Sequence, residues 1–201
     1  IMSGQQVIRL QSIHQLHEAL GFDKPRHPLV SIIEGSQYRT PEAILGQKVI
    51  SELYWIALKD KSCGFEYGRH HYDFGEGVLL FTAPGQVITI AEEVPAQDQA
   101  GWMLFFHPDL TRPYPLGQDI DQYSFFNYEV FEALHLSEEE EKVLTDCVAK
   151  IKQEYSQRID NHTQRVIVSS LELLLNYSLR FYERQFNTRT TRHKDVVAQF
   201  E

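Results

Sequence analysis

Three periodicities divide the chain. Ser12 opens a stretch in which Ile13, Leu16, Ala19 and Leu20 recur at helical spacing, with Gln15 in capping-box relation to Ser12 and Gly21 as a left-handed stop. The pattern predicts a short helix whose other side carries His14, His17 and Glu18. From Leu29 to His107 it changes to β-type runs, LVSII, VISELYWIAL, FEYG, VLLFTA, VITIA and WMLFF, separated by Gly35, 60–64, Gly75 to Gly77, Pro84-Gly85 and the polar stretch 92–101. Six or more strands with no long helix between them have no helical crossovers to join them, so the sheets are expected to be largely antiparallel, as a sandwich or barrel. Several runs are apolar on both faces, which calls for a second covering layer.

That layer follows in the sequence. After the Pro-rich TRPYPLG and the aromatic YSFFNYEVFEAL, Ser137 and Glu140 form a capping box, and the four consecutive glutamates 138–141, Glu140 among them, favour the positive end of a helix dipole. The helix they start is expected to reach about Ile159, with Val143, Leu144, Cys147, Val148 and Ile151 as its apolar stripe. A second helix is expected from about Thr163 to Phe186. Its apolar residues form two rows: Ile167, Leu171, Leu174 and Ser178 on one side, and Val168, Leu175, Leu179, Tyr182 and Phe186 on another. This exceeds the roughly 100° stripe that packs on one surface. One row is therefore assigned to the sheet body and the other to a second copy of the chain, and Ile167, Leu171, Leu174, Leu175, Ser178, Leu179 and Tyr182 are the candidate dimerisation residues.

Composition narrows the function. With 42% hydrophobic and 23% charged residues among 201, the chain is a folded globular protein; no run reaches the roughly 18 apolar residues of a membrane span, and the expected location is the cytoplasm. The last 22 residues hold 5 of the 19 basic and 3 of the 28 acidic side chains, net +2, which leaves the first 179 at net -11. An acidic body of this kind repels a polyanion, so any contact with nucleic acid is not expected from it. Cys63 and Cys147 are read as small hydrophobes.

No catalytic centre emerges. The glycines of Phe74-Gly75-Glu76-Gly77 precede a strand-like run, where a phosphate loop needs a helix, and read as hairpin glycines. His70, His71, Glu76 and His107 are an incomplete metal set, because neighbours on a strand point to opposite faces; no metal and no cofactor are expected. The aromatic surplus among the strands suggests a mostly apolar pocket inside the β body, with Tyr54, Tyr67, His71, Tyr72, Phe81, Trp102 and His107 as candidate ligand-binding residues.

The succession HPLVSII, YGRHHYDFGEGVLLFTAPGQ, GWMLFFHPDL, YSFFNYEVFEALHLSEEEEK and LELLLNYSLRFYERQF resembles the N-terminal domain of a group of AraC-family bacterial transcription regulators, over nearly all of residues 25–188. The resemblance implies an α+β domain: a cupin-like antiparallel β-barrel or jelly roll that takes a small-molecule effector, followed by two α-helices that pack on it and dimerise. DNA binding is then expected only through a helix-turn-helix module of roughly 100 residues, for which this chain has no room before Glu201. Ile1 before Met2 reads as a cloning remnant. The expected division is an N-terminal arm (1–24), the β-barrel (25–116), the helical dimerisation region (117–188) and the start of a linker (189–201). Gln86, Val87 and Ile88 follow Pro84-Gly85 where metal-binding cupins carry a histidine, which argues against a metal. A metal-dependent cupin enzyme and a ligand-free dimerisation module are the alternative readings.

Overall fold

A computed structural model describes residues 7–59, 66–67, 70–71, 77–89, 100–127 and 133–198, with the side chains of 66, 67, 70, 71 and 188–198 excepted. The chain is α+β. Its strands are β1 (Val7–Leu10), β2 (Val30–Glu34), β3 (Lys48–Ser51), β4 (Tyr54–Lys59), β5 (Glu66–Tyr67), β6 (His70–His71), β7 (Val78–Thr82), β8 (Val87–Thr89), β9 (Gly101–Phe106) and β10 (Leu134–His135). The helices are α1 (Ile13–Leu20), α2 (Pro115–Asp119), α3 (Glu138–Ser156) and α4 (Thr163–Ala198). Among the described residues no helix is long and apolar enough to cross a membrane.

The larger sheet is antiparallel throughout, in the order β10-β7-β4-β9-β2. A smaller sheet has the order β1-β3-β8, and β5 pairs with β6 as a two-stranded ribbon. The sheets are largely antiparallel, as expected, with one exception: the β1–β3 pair is parallel, with Val7 opposite Lys48 and Leu10 opposite Ser51. Among the described residues the strands form separate sheets rather than a closed barrel. The apolar run VISELYWIAL is two strands in two sheets: the backbone turns at Glu52 and Leu53, where Leu53 N–H donates to Ser51 Oγ at 3.0 Å, so β3 joins the small sheet and β4 the large one.

The helix caps follow local chemistry. Ser12 Oγ accepts from Gln15 N–H at 3.1 Å, and Gly21 ends α1 at φ 72°, a conformation that disfavours any side chain. Gln15 reaches back one residue further than a capping box requires, its Oε1 accepting from Gln11 N–H at 2.8 Å. At α3 the box is complete: Ser137 Oγ accepts from Glu140 N–H and Glu140 Oε2 from Ser137 N–H.

The main core lies between the large sheet and the helices. Strand alternation sends Ile32, Ile56, Leu58, Leu79, Leu104 and Phe106 to one face. There they meet Leu144, Cys147, Val148 and Ile151 of α3 and the buried arc of α4. A long antiparallel pair of helices thus closes one side of the sheet, as expected. Tyr155 of α3 protects the exposed edge of that sheet, its hydroxyl accepting from Ile32 N–H at 3.1 Å. At the opposite edge Gln185 of α4 clamps β10, accepting from His135 N–H at 2.9 Å and donating to the Ala133 carbonyl at 3.1 Å.

α4 departs from expectation in two ways. It runs on to Ala198, through residues expected to begin a linker. The first apolar row is covered by the chain itself and the second only in part: Ile167, Leu171, Leu174, Ser178, Val168, Leu175 and Tyr182 are all buried, Leu179 is half-buried, and Phe186 is exposed. The buried residues of both rows pack against α3, the large sheet and the aromatic segment around Phe125. The Ser178 hydroxyl is satisfied within α4, donating to the Leu174 carbonyl at 2.8 Å.

Candidate functional site

On β4 the side chains alternate strictly. Tyr54, Ile56 and Leu58 face the helices; Trp55, Ala57 and Lys59 face the small sheet. β9 alternates in step, with Leu104 and Phe106 toward the helices and Met103 and Phe105 toward the small sheet. The space between the two sheets holds a second, smaller core around Ile13, Leu16, Ile33, Ala57 and Met103.

That core is incompletely filled. A cavity of about 50 Å³ lies between Trp55, Met103 and Phe105 of the large sheet and Ile8, Leu10, Val49, Ser51 and Ile88 of the small one. Leu16, Ala19 and Leu20 of α1 close one end, and Tyr38 and Ile44 from the loop after β2 close another. The indoles and rings are held by stacking, Trp55 on Phe105 at 5.2 Å and 19°. Polar groups in the wall are few. Ser51 Oγ accepts from Leu53 N–H, and Tyr38 OH accepts from the Thr40 hydroxyl at 3.4 Å. Beside them Lys59, 6% exposed, donates to Met103 Sδ at 3.7 Å and lies 5.7 Å from the Tyr38 ring centroid.

The residues expected to bind a ligand fall elsewhere. Tyr54, Phe81 and Trp102 point to the helical side, not into the inter-sheet space. Tyr54 stacks on Phe106 at 4.7 Å and meets Phe126 edge-on at 5.0 Å; Phe81 stacks on Phe125 at 4.0 Å. Phe125 in turn meets Tyr182 at 6.1 Å, so the structure joins two ligand candidates and one dimerisation candidate in a single packed aromatic cluster. Trp102 Nε1 donates to Thr145 Oγ1 of α3 at 3.1 Å. Burial, with the Asp121 carboxylate as a second cause, holds the Tyr54 phenol above its ordinary pKa. Burial does the same at Tyr123, helped by Glu172 and Asp119. His107 caps the turn Pro108–Leu110, its Nδ1 accepting from Asp109 N–H at 3.0 Å. For Tyr67 and His71 only the backbone is described, in β5 and β6; Tyr72 and Glu76 lie outside the described residues.

The histidines of α1 are also engaged structurally. His17 contacts the Asp23 carbonyl through Nδ1 at 2.6 Å and Ser31 Oγ through Nε2 at 2.7 Å, tying α1 to β2. The cavity residues Trp55, Met103 and Phe105 were legible as strand aromatics and neighbours, but the signal that would select them is the parity of β4 and β9 relative to Lys59, the one cation of those runs that is turned inward. No protein-family model matches the chain, and no curated protein sequence is significantly similar to it.

Proposed function

We propose that the chain is the effector-sensing and dimerisation domain of a transcription regulator of AraC type, with a cupin-like β body as the sensor and DNA contacted only through a separate helix-turn-helix module. The observation that carries this reading is the division of labour across the large sheet: a small apolar cavity on one face and a helix pair on the other. A small molecule in the cavity touches both sheets and α1, so its affinity depends on their spacing. It shifts the population of two arrangements only by its difference in affinity for them. α4, at 36 residues about 54 Å long, rests on the same sheet and extends that spacing outward as a rigid rod.

Dimerisation belongs to a different face of α4 from the one expected. Val166, Ser170, Leu173 and Tyr177 follow one another at spacings of four, three and four, with Val166 41% and Leu173 42% exposed and Ser170 and Tyr177 half-buried. A second copy of the chain is the occupant proposed for this row.

Two measurements test the two halves of the reading. Pressurised xenon should shift the amide resonances of Val49, Trp55 and Met103, and Ala19→Leu, which fills the cavity, should abolish the shifts; unchanged spectra of the unmodified protein would remove the sensor. Fused to a monomeric DNA-binding domain, the chain should repress a reporter carrying paired operators, and Val166→Glu with Leu173→Glu should release it. Repression equal to that of the unfused domain would remove dimerisation.

A further inference from the structure

Resting on the sensor reading, we infer that the molecule recognised in the inter-sheet cavity is a short uncharged hydrocarbon of roughly two or three carbons, held by contact alone. Strand alternation assembles the wall from both sheets: Val49 and Ile88 come from the small one and Met103 and Phe105 from the large one, with Leu16 added from α1. Each of these five is at most 6% exposed. None of the thirteen residues lining the cavity is charged, and Lys59 stands behind Met103, outside the wall. Three lining side chains carry a hydrogen-bonding group, and all three are engaged within the protein. Ser51 Oγ accepts from Leu53 N–H at 3.0 Å, Tyr38 OH accepts from the Thr40 hydroxyl at 3.4 Å, and the Trp55 ring lies stacked on Phe105. Strand N–H and C=O groups point along the sheets toward neighbouring strands, not into the space between the sheets.

The chemistry of the wall selects the ligand class. A hydroxyl brought inside gives up its hydration and meets methyl, methylene, thioether and ring carbon atoms, a loss of about ten- to a hundredfold in affinity, and a carboxylate loses more. An alkyl group has no such loss. It also displaces no firmly held water, since a bound water needs two or more polar partners and this wall offers few. Its attraction comes from close contact with the polarisable groups of the wall, Met103 Sδ and the stacked rings of Trp55 and Phe105. Size sets the length: a cavity of about 50 Å³ is a third of the roughly 150 Å³ that admits benzene.

Amide spectra of the 201-residue chain with propane, ethanol and sodium formate, which have equal numbers of non-hydrogen atoms, and with benzene test this. Propane under pressure is expected to shift Val49, Ile88 and Met103 with a dissociation constant of about 1 to 10 mM, near the ceiling for a ligand of its size. Ethanol and formate at the same concentrations should leave those resonances in place, ethanol binding at least about tenfold more weakly, and benzene should not fit. Val49→Thr keeps the shape of the side chain and adds a hydroxyl to the wall, so it should weaken propane by about five- to tenfold and narrow its lead over ethanol. The series on the unmodified chain decides the question even where that variant does not fold. Ethanol or formate shifting the spectrum as strongly as propane, benzene binding more tightly than propane, or no response to propane would each overturn the inference. A lead over ethanol that a folded Val49→Thr leaves unchanged would do the same. The sensor reading fails separately, in the xenon experiment with Ala19→Leu: a cavity that takes xenon and refuses propane keeps that reading and removes this inference.

Discussion

The two faces of the five-stranded sheet are built from the same strands and do opposite things. Toward α3 and α4 the side chains are long aliphatic and aromatic groups packed into one continuous core, with Ile56, Leu79, Leu104 and Phe106 fully buried. Toward the small sheet the same strands present Ala57, Met103, Ser31 and Lys59, and a void remains. The difference teaches where adaptability can reside. A close-packed interface transmits displacement because it has no room to absorb it, while a partly filled one can change its spacing at modest cost.

The largest effects should come from charging the packed side. Leu171→Glu with Leu174→Glu, and separately Leu175→Glu with Leu179→Glu, should each prevent folding, since each places at least one unpaired carboxylate among fully covered side chains at a cost above about 4 kcal/mol. Circular dichroism would reveal a native melt in either variant and so break the contrast. By comparison Val166→Glu with Leu173→Glu should leave a folded chain, within about 1 kcal/mol of the original, that sediments as a monomer.

A neighbouring pair on β9 sharpens the comparison. Leu104→Ala, on the packed face, should cost about 3 to 5 kcal/mol in denaturant titration. Met103→Ala, one residue away on the cavity face, should cost about 2 kcal/mol, because a flexible side chain beside an existing void loses fewer contacts. Equal losses would mean that the two faces are equally packed.

Adding one methylene should separate the faces by sign. Val168→Ile on α4 overpacks and should destabilise by about 1 kcal/mol. Val49→Ile borders the cavity and should be neutral or stabilise by about 0.5 kcal/mol, read as a small rise in melting temperature.

The smallest effect concerns the entry to β2. His27 is buried, and its Nδ1 accepts from Leu29 N–H at 3.1 Å, a bond that the protonated ring would lose. Burial holds its pKa below the ordinary value of about 6.5. The unfolded chain therefore takes up a proton before the folded one does, and stability present above about pH 6.5 declines as the pH falls through that range toward the folded pKa. His27→Asn, whose amide oxygen can accept the same bond, should flatten this decline. A variant with the same pH dependence as the parent would show that other groups cause it.

Helix starts were readable from the chain alone. Ser12, Gly21, Ser137 and Glu140 act on backbone groups within four residues, so their partners are guaranteed by sequence proximity. Strand positions were also legible, yet VISELYWIAL concealed a corner, because both halves are apolar and the turn at Glu52 and Leu53 contains no Gly or Pro. The site was less legible still. Tyr54 and Trp55, like Phe105 and Phe106, are adjacent aromatics on opposite faces, so alternation offers two equally apolar solutions, and the one charged residue of β4, Lys59, is itself turned inward.

What the sequence by itself determined is the starts of the capped helices, the main strand runs between Leu29 and His107, and that α4 needs wide apolar cover, since these depend on backbone hydrogen bonds and spacing along one element. The tertiary structure alone decided what covers α4, which face of β4 meets a void, and that Lys59 points inward. Those outcomes depend on contacts between elements far apart in sequence, such as Phe81 with Phe125, Trp102 with Thr145 and Lys59 with Met103, and on whether the volumes meeting there happen to fill the space between two sheets.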